Sequence, residues 1–115
     1  MHEVSIMAEA VRMATEAARK SGAVRVTCLK LRVGTLSGAV PDAMRFAWDV
    51  VCQGTEAEGA RLEIEPVTAA CRCEACRTEF DCADFINECP RCGTPGARLL
   101  RGRELDIASI ETQDH

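Results

Sequence analysis

"CRCEACRTEFDCADFINECPRCG", residues 71–93, holds six of the eight cysteines in the chain. Four of the six fall into two C-x-x-C pairs, Cys73 with Cys76 and Cys89 with Cys92, and residues 77–88 lie between the pairs. A tight turn between cysteines two residues apart presents two sulfurs to one ion, and tetrahedral zinc takes four such soft ligands. Pro90 stiffens the second turn, and Gly93 can adopt the positive φ needed as the chain leaves the metal. Two such turns on opposite hairpins make a zinc ribbon. A structural zinc is therefore expected on Cys73, Cys76, Cys89 and Cys92.

Two other chemistries use similar spacings. Disulfides are disfavoured in a reducing compartment. A rubredoxin-like iron site fits less well, because no glycine follows Cys76 and the surroundings are poor in aromatic residues. Cys71 and Cys82 have no partner at C-x-x-C spacing and are expected to stand outside the ligand set. Cys28 and Cys52 sit within apolar patterns and read as small buried hydrophobes.

The chain around this segment is short and acidic. Its 115 residues suit one compact domain or one domain with a small appendage. Hydrophobic residues make up 47%, enough for a core, whereas aromatics make up 3% and tyrosine is absent. The formal net charge is −4, and four thiolates with one Zn²⁺ add about −2 more. This balance argues against a nucleic-acid interface, which needs a basic footprint and stacking aromatics. No apolar run approaches the ~20 residues that span a bilayer. The start of the chain lacks a basic n-region and an apolar stretch, so no signal peptide is expected and a cytosolic protein is.

Periodicity organises the rest. Val4, Met7, Ala8, Val11, Ala14 and Ala18 form a helical stripe that predicts a helix over 4–20, stopped near Gly22. Residues 24–33 read as a strand whose apolar alternation changes phase between Cys28 and Leu29, as a bulge or burial on both faces would require. Pro41 opens a second helix with Met44, Ala47, Trp48 and Val51 as its stripe, ending at Gly54. "RLEIEPV" alternates as a strand, with Pro66 at a sheet edge or strand end. "ARLLRGRELDIASIE" reads as two short strands around Gly102. The expected fold class is α+β: a small helix/sheet domain, residues 1–69 and 94–115, with an inserted four-cysteine zinc-ribbon domain at 70–93.

"MHE" opens the chain. A histidine at position 2 is by default a solvated terminal residue. Three features point further. A bulky second residue generally spares Met1 from removal. The terminal amine, the His2 amide and the His2 imidazole are then close neighbours, and planar nitrogen donors suit Ni(II) or Cu(II). The first helix also begins almost at once, which holds this end.

"MHE", "VGTLSG" at 33–38, and C-x-x-C with C-P-x-C at this spacing together resemble the HypA/HybF family of hydrogenase-maturation nickel chaperones over essentially the whole chain. The resemblance implies a nickel-binding domain with an inserted zinc domain, nickel at His2, and zinc at Cys73, Cys76, Cys89 and Cys92. It also implies delivery of nickel to the large subunit of [NiFe]-hydrogenase with a HypB-type GTPase. A part for Glu3, through its backbone or its side chain, is a further implication of the resemblance. Asp42 occupies a region where some relatives carry an acidic residue near nickel, although acidic residues favour helix starts in any case. A monomer or homodimer is expected, with no nucleic-acid partner and no membrane insertion.

The residue inventory suits a carrier rather than an enzyme. No Ser/His/Asp or Cys/His nucleophile arrangement and no glycine-rich phosphate loop is visible. The competing reading is a zinc-ribbon interaction module in which His2 is incidental, and nickel binding with and without His2 separates the two.

Overall fold

The computed structural model describes residues 2–82 and 88–114, and for His2 the backbone alone. The element order is α1 (His2–Lys20), β1 (Arg25–Gly34), α2 (Pro41–Cys52), β2 (Arg61–Val67), β3 (Ala70–Arg72), β4 (Glu79–Asp81), β5 (Arg98–Arg101) and β6 (Leu105–Gln113). The architecture is α+β, as the periodicity predicts. The strands form two three-stranded sheets, β2-β1-β6 and β4-β3-β5. The backbone groups into two compact units, Met1–Arg32 with Ala39–Glu65 and Asp106–His115, and Val33–Gly38 with Pro66–Leu105.

In the first unit α1 packs against α2. The buried face of α1 is Met7, Ala10, Val11, Ala14, Thr15 and Ala18. The period of 3.6 drifts off the stripe expected at its start, so Val4 and Ala8 are exposed and Ala10 and Thr15 take their place. The helix closes through paired bonds from the Gly22 N–H to the Arg19 carbonyl (3.1 Å) and the Ala23 N–H to the Ala18 carbonyl (2.9 Å). These are the two bonds of a Schellman cap, with Gly22 in the left-handed region at φ 81°.

Met44, Ala47, Trp48 and Cys52 are buried on α2. The Trp48 Nε1–H donates to the Ala60 carbonyl at 2.9 Å, so the indole buries its apolar body without orphaning its donor. Strand β1 is central in its sheet, and both Cys28 and Leu29 are buried. The phase change thus reflects burial on both faces of a central strand. Burial of Cys28 and Cys52, each 2% exposed, raises both thiols, Cys52 to about 12. Both are protonated apolar groups, as expected.

In the second unit β3 pairs antiparallel with β4 and with β5. The two strands flanking Gly102 are therefore not a local hairpin: β5 joins β3, whereas β6 joins β1. This unit also draws in residues 33–38 and so extends beyond 70–93 on both sides. The Gly34 N–H donates to the Glu104 carbonyl and the Leu36 N–H to the Gly102 carbonyl, each at 2.7 Å. A Cβ on Gly34 would overlap the Gly102 carbonyl, and one on Gly102 would overlap Ala69. Glycine is needed at both positions for backbone to approach backbone this closely.

Candidate metal centre

Two turns with the same hydrogen-bond pattern form the centre. In the first, the Arg77 N–H donates to the Cys73 carbonyl (2.7 Å) and the Cys73 N–H to the Thr78 carbonyl (2.9 Å). In the second, the Gly93 N–H donates to the Cys89 carbonyl (2.8 Å) and the Cys89 N–H to the Thr94 carbonyl (3.0 Å). Each turn leaves through a left-handed residue, Arg77 at φ 62° and Gly93 at φ 75°. The missing glycine after Cys76 thus does not change the turn. Arg77 accepts the conformation instead.

The turns bring the four sulfurs within 4.8 Å of one another. Cys73 Sγ lies 3.5 Å from Cys92 Sγ, and Cys76 Sγ lies 3.6 Å from Cys89 Sγ. A tetrahedron with Zn–S bonds of ~2.3 Å has sulfur–sulfur edges of about 3.8 Å, so the four thiols fit zinc with little adjustment. Among the described residues this is the one group of three or more Cys, His, Asp or Glu side chains suited to a metal ion. Cys73 and Cys89 are buried, and Cys92 is exposed.

The second sulfur of each turn is held by a threonine. Cys76 Sγ and Cys92 Sγ each lie 3.2 Å from a hydroxyl, Thr78 Oγ1 and Thr94 Oγ1 respectively. Hydrogen bonds from the Thr78 hydroxyl and main chain lower the Cys76 thiol to about 6, and the equivalent contacts from Thr94 lower Cys92. Cys73 behaves oppositely. The main chain at Cys76 works to lower it, but burial and the adjoining Cys92 thiol carry it to about 11. Four thiols crowded together cannot all ionise without a cation among them, and a divalent metal supplies that charge.

Cys71 and Cys82 stand outside the four-sulfur group but not apart from each other. Their sulfurs are 2.7 Å apart. Sequence spacing did not pair them. The signal was in the strand register: a hairpin turning at 73–78 sets Cys71 opposite Phe80, and Cys82 two residues further along the same face.

The other expected site residues lie near the start of α1. His2 opens the helix, but its side chain, Met1 and His115 lie outside the described residues. Glu3 is half-buried, and its carboxylate accepts the Val40 N–H at 3.3 Å. Val40 is the N-cap of α2 and has no side-chain cap of its own, so Glu3 supplies an acceptor where the helix lacks one. The Glu3 side chain therefore has a structural partner. Asp42 is exposed in the first turn of α2, where a carboxylate complements the helix dipole.

Fold and site together define a small α+β protein that carries a four-cysteine zinc-ribbon centre in its second unit. The profile described as "Hydrogenase/urease nickel incorporation, metallochaperone, hypA" matches residues 1–112. The hydrogenase maturation factor HypA of Roseiflexus sp. is 47% identical over 99% of this chain and 94% of its own length. That of Picosynechococcus sp. is 41% identical over 96% and 98%. The solution structure of the nickel metallochaperone HypA from Helicobacter pylori superposes with a TM-score of 0.67 at 17% identity, over 98% of each chain. A second HypA solution structure gives 0.73 at 20% identity, over 100% of this chain and 98% of its own. The chain belongs to the HypA family of nickel metallochaperones that act in hydrogenase maturation. Among the described residues no helix is long and apolar enough to cross a membrane.

Proposed function

We propose that this protein binds Ni(II) through Met1-His2-Glu3, carries it in the cytoplasm, and delivers it to the large subunit of [NiFe]-hydrogenase together with a HypB-type GTPase. Zinc is a separate, structural metal on Cys73, Cys76, Cys89 and Cys92. The observation that carries the reading is the match of residues 1–112 to a nickel-incorporation family. It is supported by a histidine at the first residue of α1 and by a four-thiol group at the other end of the ligand scale. Imidazole and main-chain nitrogens suit nickel, whereas a closed thiolate tetrahedron suits zinc.

The two sites have different tasks. A cargo metal must leave, so it needs few ligands at an accessible end of the chain. The ribbon zinc would contribute folding free energy and neutralise four crowded thiolates without turning over. Residues 70–93 are assigned to zinc because all four thiols fall there, and 1–69 with 94–115 to nickel handling.

Metal analysis tests this reading. Untagged protein loaded with nickel and desalted should hold about one nickel and one zinc per chain, and His2→Ala should hold zinc alone. Equal nickel in both would remove His2 from the site and leave a zinc-ribbon interaction module as the better description.

A further inference from the structure

We propose that Cys71 and Cys82 form a redox modification site, a dithiol that closes to a disulfide before the zinc thiols react. Three observations carry it. The two sulfurs are 2.7 Å apart, closer than any pair among the four zinc-centre sulfurs for which a contact is found. An S–S bond is ~2.05 Å long, so closure needs an approach of about 0.7 Å. The strands are already fixed: Ala70, Cys71 and Arg72 pair with Asp81, Phe80 and Glu79, and the Cys82 N–H donates to the Ala69 carbonyl at 3.0 Å. Finally, the pair is no part of the four-thiol group, so no metal is needed to explain its proximity.

The two thiols differ in access. Cys71 is wholly buried and Cys82 is half-buried. The oxidant is a hydroperoxide such as hydrogen peroxide, and Cys82 meets it first. The Cys82 sulfur takes one peroxide oxygen as the O–O bond breaks, giving a sulfenic acid and one water. The Cys71 sulfur then attacks the Cys82 sulfur. The S–S bond forms, the S–O bond breaks, and the hydroxyl leaves as a second water with the Cys71 proton. Two thiols and one hydrogen peroxide thus yield one disulfide and two waters.

The cross-link would tie β3 to the residue that follows β4, on either side of the turn that carries Cys73 and Cys76. It consumes oxidant at thiols that hold no metal and keeps that turn closed. The part of the proposal concerning zinc rests on the four-cysteine zinc reading above. The pairing of Cys71 with Cys82 does not.

Zinc-loaded, untagged protein is titrated with hydrogen peroxide. Zinc release is followed with a chromogenic chelator, and disulfides are mapped by peptide mass analysis after alkylation. Zinc content is measured before oxidant is added, so failure of the zinc reading would show there, while the map still scores the cross-link. The expected result is loss of two thiols and of two hydrogens in mass, a Cys71–Cys82 link, and retained zinc. Cys82→Ser should start zinc-replete and release zinc at a lower peroxide dose. First-formed links among Cys73, Cys76, Cys89 and Cys92, with zinc lost in step, would overturn the proposal. So would identical zinc-release curves for the wild type and Cys82→Ser.

Discussion

Replacing Arg77 with glycine should tighten the zinc centre. Arg77 is the one non-glycine residue with positive φ among the described residues, at 62°, while the matching position in the second turn is Gly93 at 75°. An L-residue in the left-handed region costs about 1–2 kcal/mol. Glycine removes that cost but gives up about 0.4–1 kcal/mol through the greater freedom of the unfolded chain. The Arg77 side chain is exposed, so its loss exposes no core surface, and the N–H bond to Cys73 survives the change. The difference is a net gain centred on about 0.8 kcal/mol within a span of about 0–1.6, or roughly 4-fold in an equilibrium constant at 1.4 kcal/mol per tenfold. Turn closure and zinc binding are coupled, so the gain appears as zinc retention. Gly93→Ala is the converse. A Cβ there meets only Glu88 Oε1 at 4.0 Å, an ordinary contact, so the loss is the backbone cost alone and is of similar size. Competition against a chromogenic zinc chelator measures both variants on one scale. Weaker retention in Arg77→Gly than in the wild type, or no change in Gly93→Ala, would refute the claim that backbone strain distinguishes the two turns.

Serine at both Cys76 and Cys92 should abolish zinc binding, whereas serine at Cys28 or Cys52 should leave one zinc per chain. Full zinc in the double variant by atomic emission would remove these ligands from the site. Met44 is wholly buried on α2, so Met44→Ala should destabilise the first unit by about 2–5 kcal/mol in urea unfolding while zinc stoichiometry is unchanged. Burial raises the Cys52 thiol from 9.0 to about 12 in the folded protein. Its stabilising contribution is therefore complete below pH 9 and declines as pH rises toward 12, and Cys52→Ala should flatten the alkaline fall in denaturation midpoint. A Gly-Ser extension before Met1 should weaken nickel binding nearly as much as His2→Ala. Binding should also weaken as pH falls through the ordinary imidazole range near ~6.5, and isothermal titration of both forms at two pH values checks this.

What depends on short spacing can be read from the residues alone. Cys73 with Cys76 and Cys89 with Cys92 each share one turn, so their convergence was legible before any fold was known. Helices α1 and α2 were legible for the same reason, since a period of 3.6 is written in consecutive residues. The family was legible too, because its marks are contiguous stretches spread over the whole length. Strand pairing is different, because a strand carries no local record of its neighbour. That β5 joins β3 while β6, after three intervening residues, joins β1 emerges only in the folded chain. The same holds for β1, whose change of phase becomes burial on both faces only when it lies between β2 and β6. It holds above all for Cys71 and Cys82, unrelated by any metal-ligand spacing. They come within 2.7 Å because the antiparallel register of β3 and β4 sets them on one face. Chemistry built within a turn is specified by the sequence of that turn, and chemistry built across strands waits for the register.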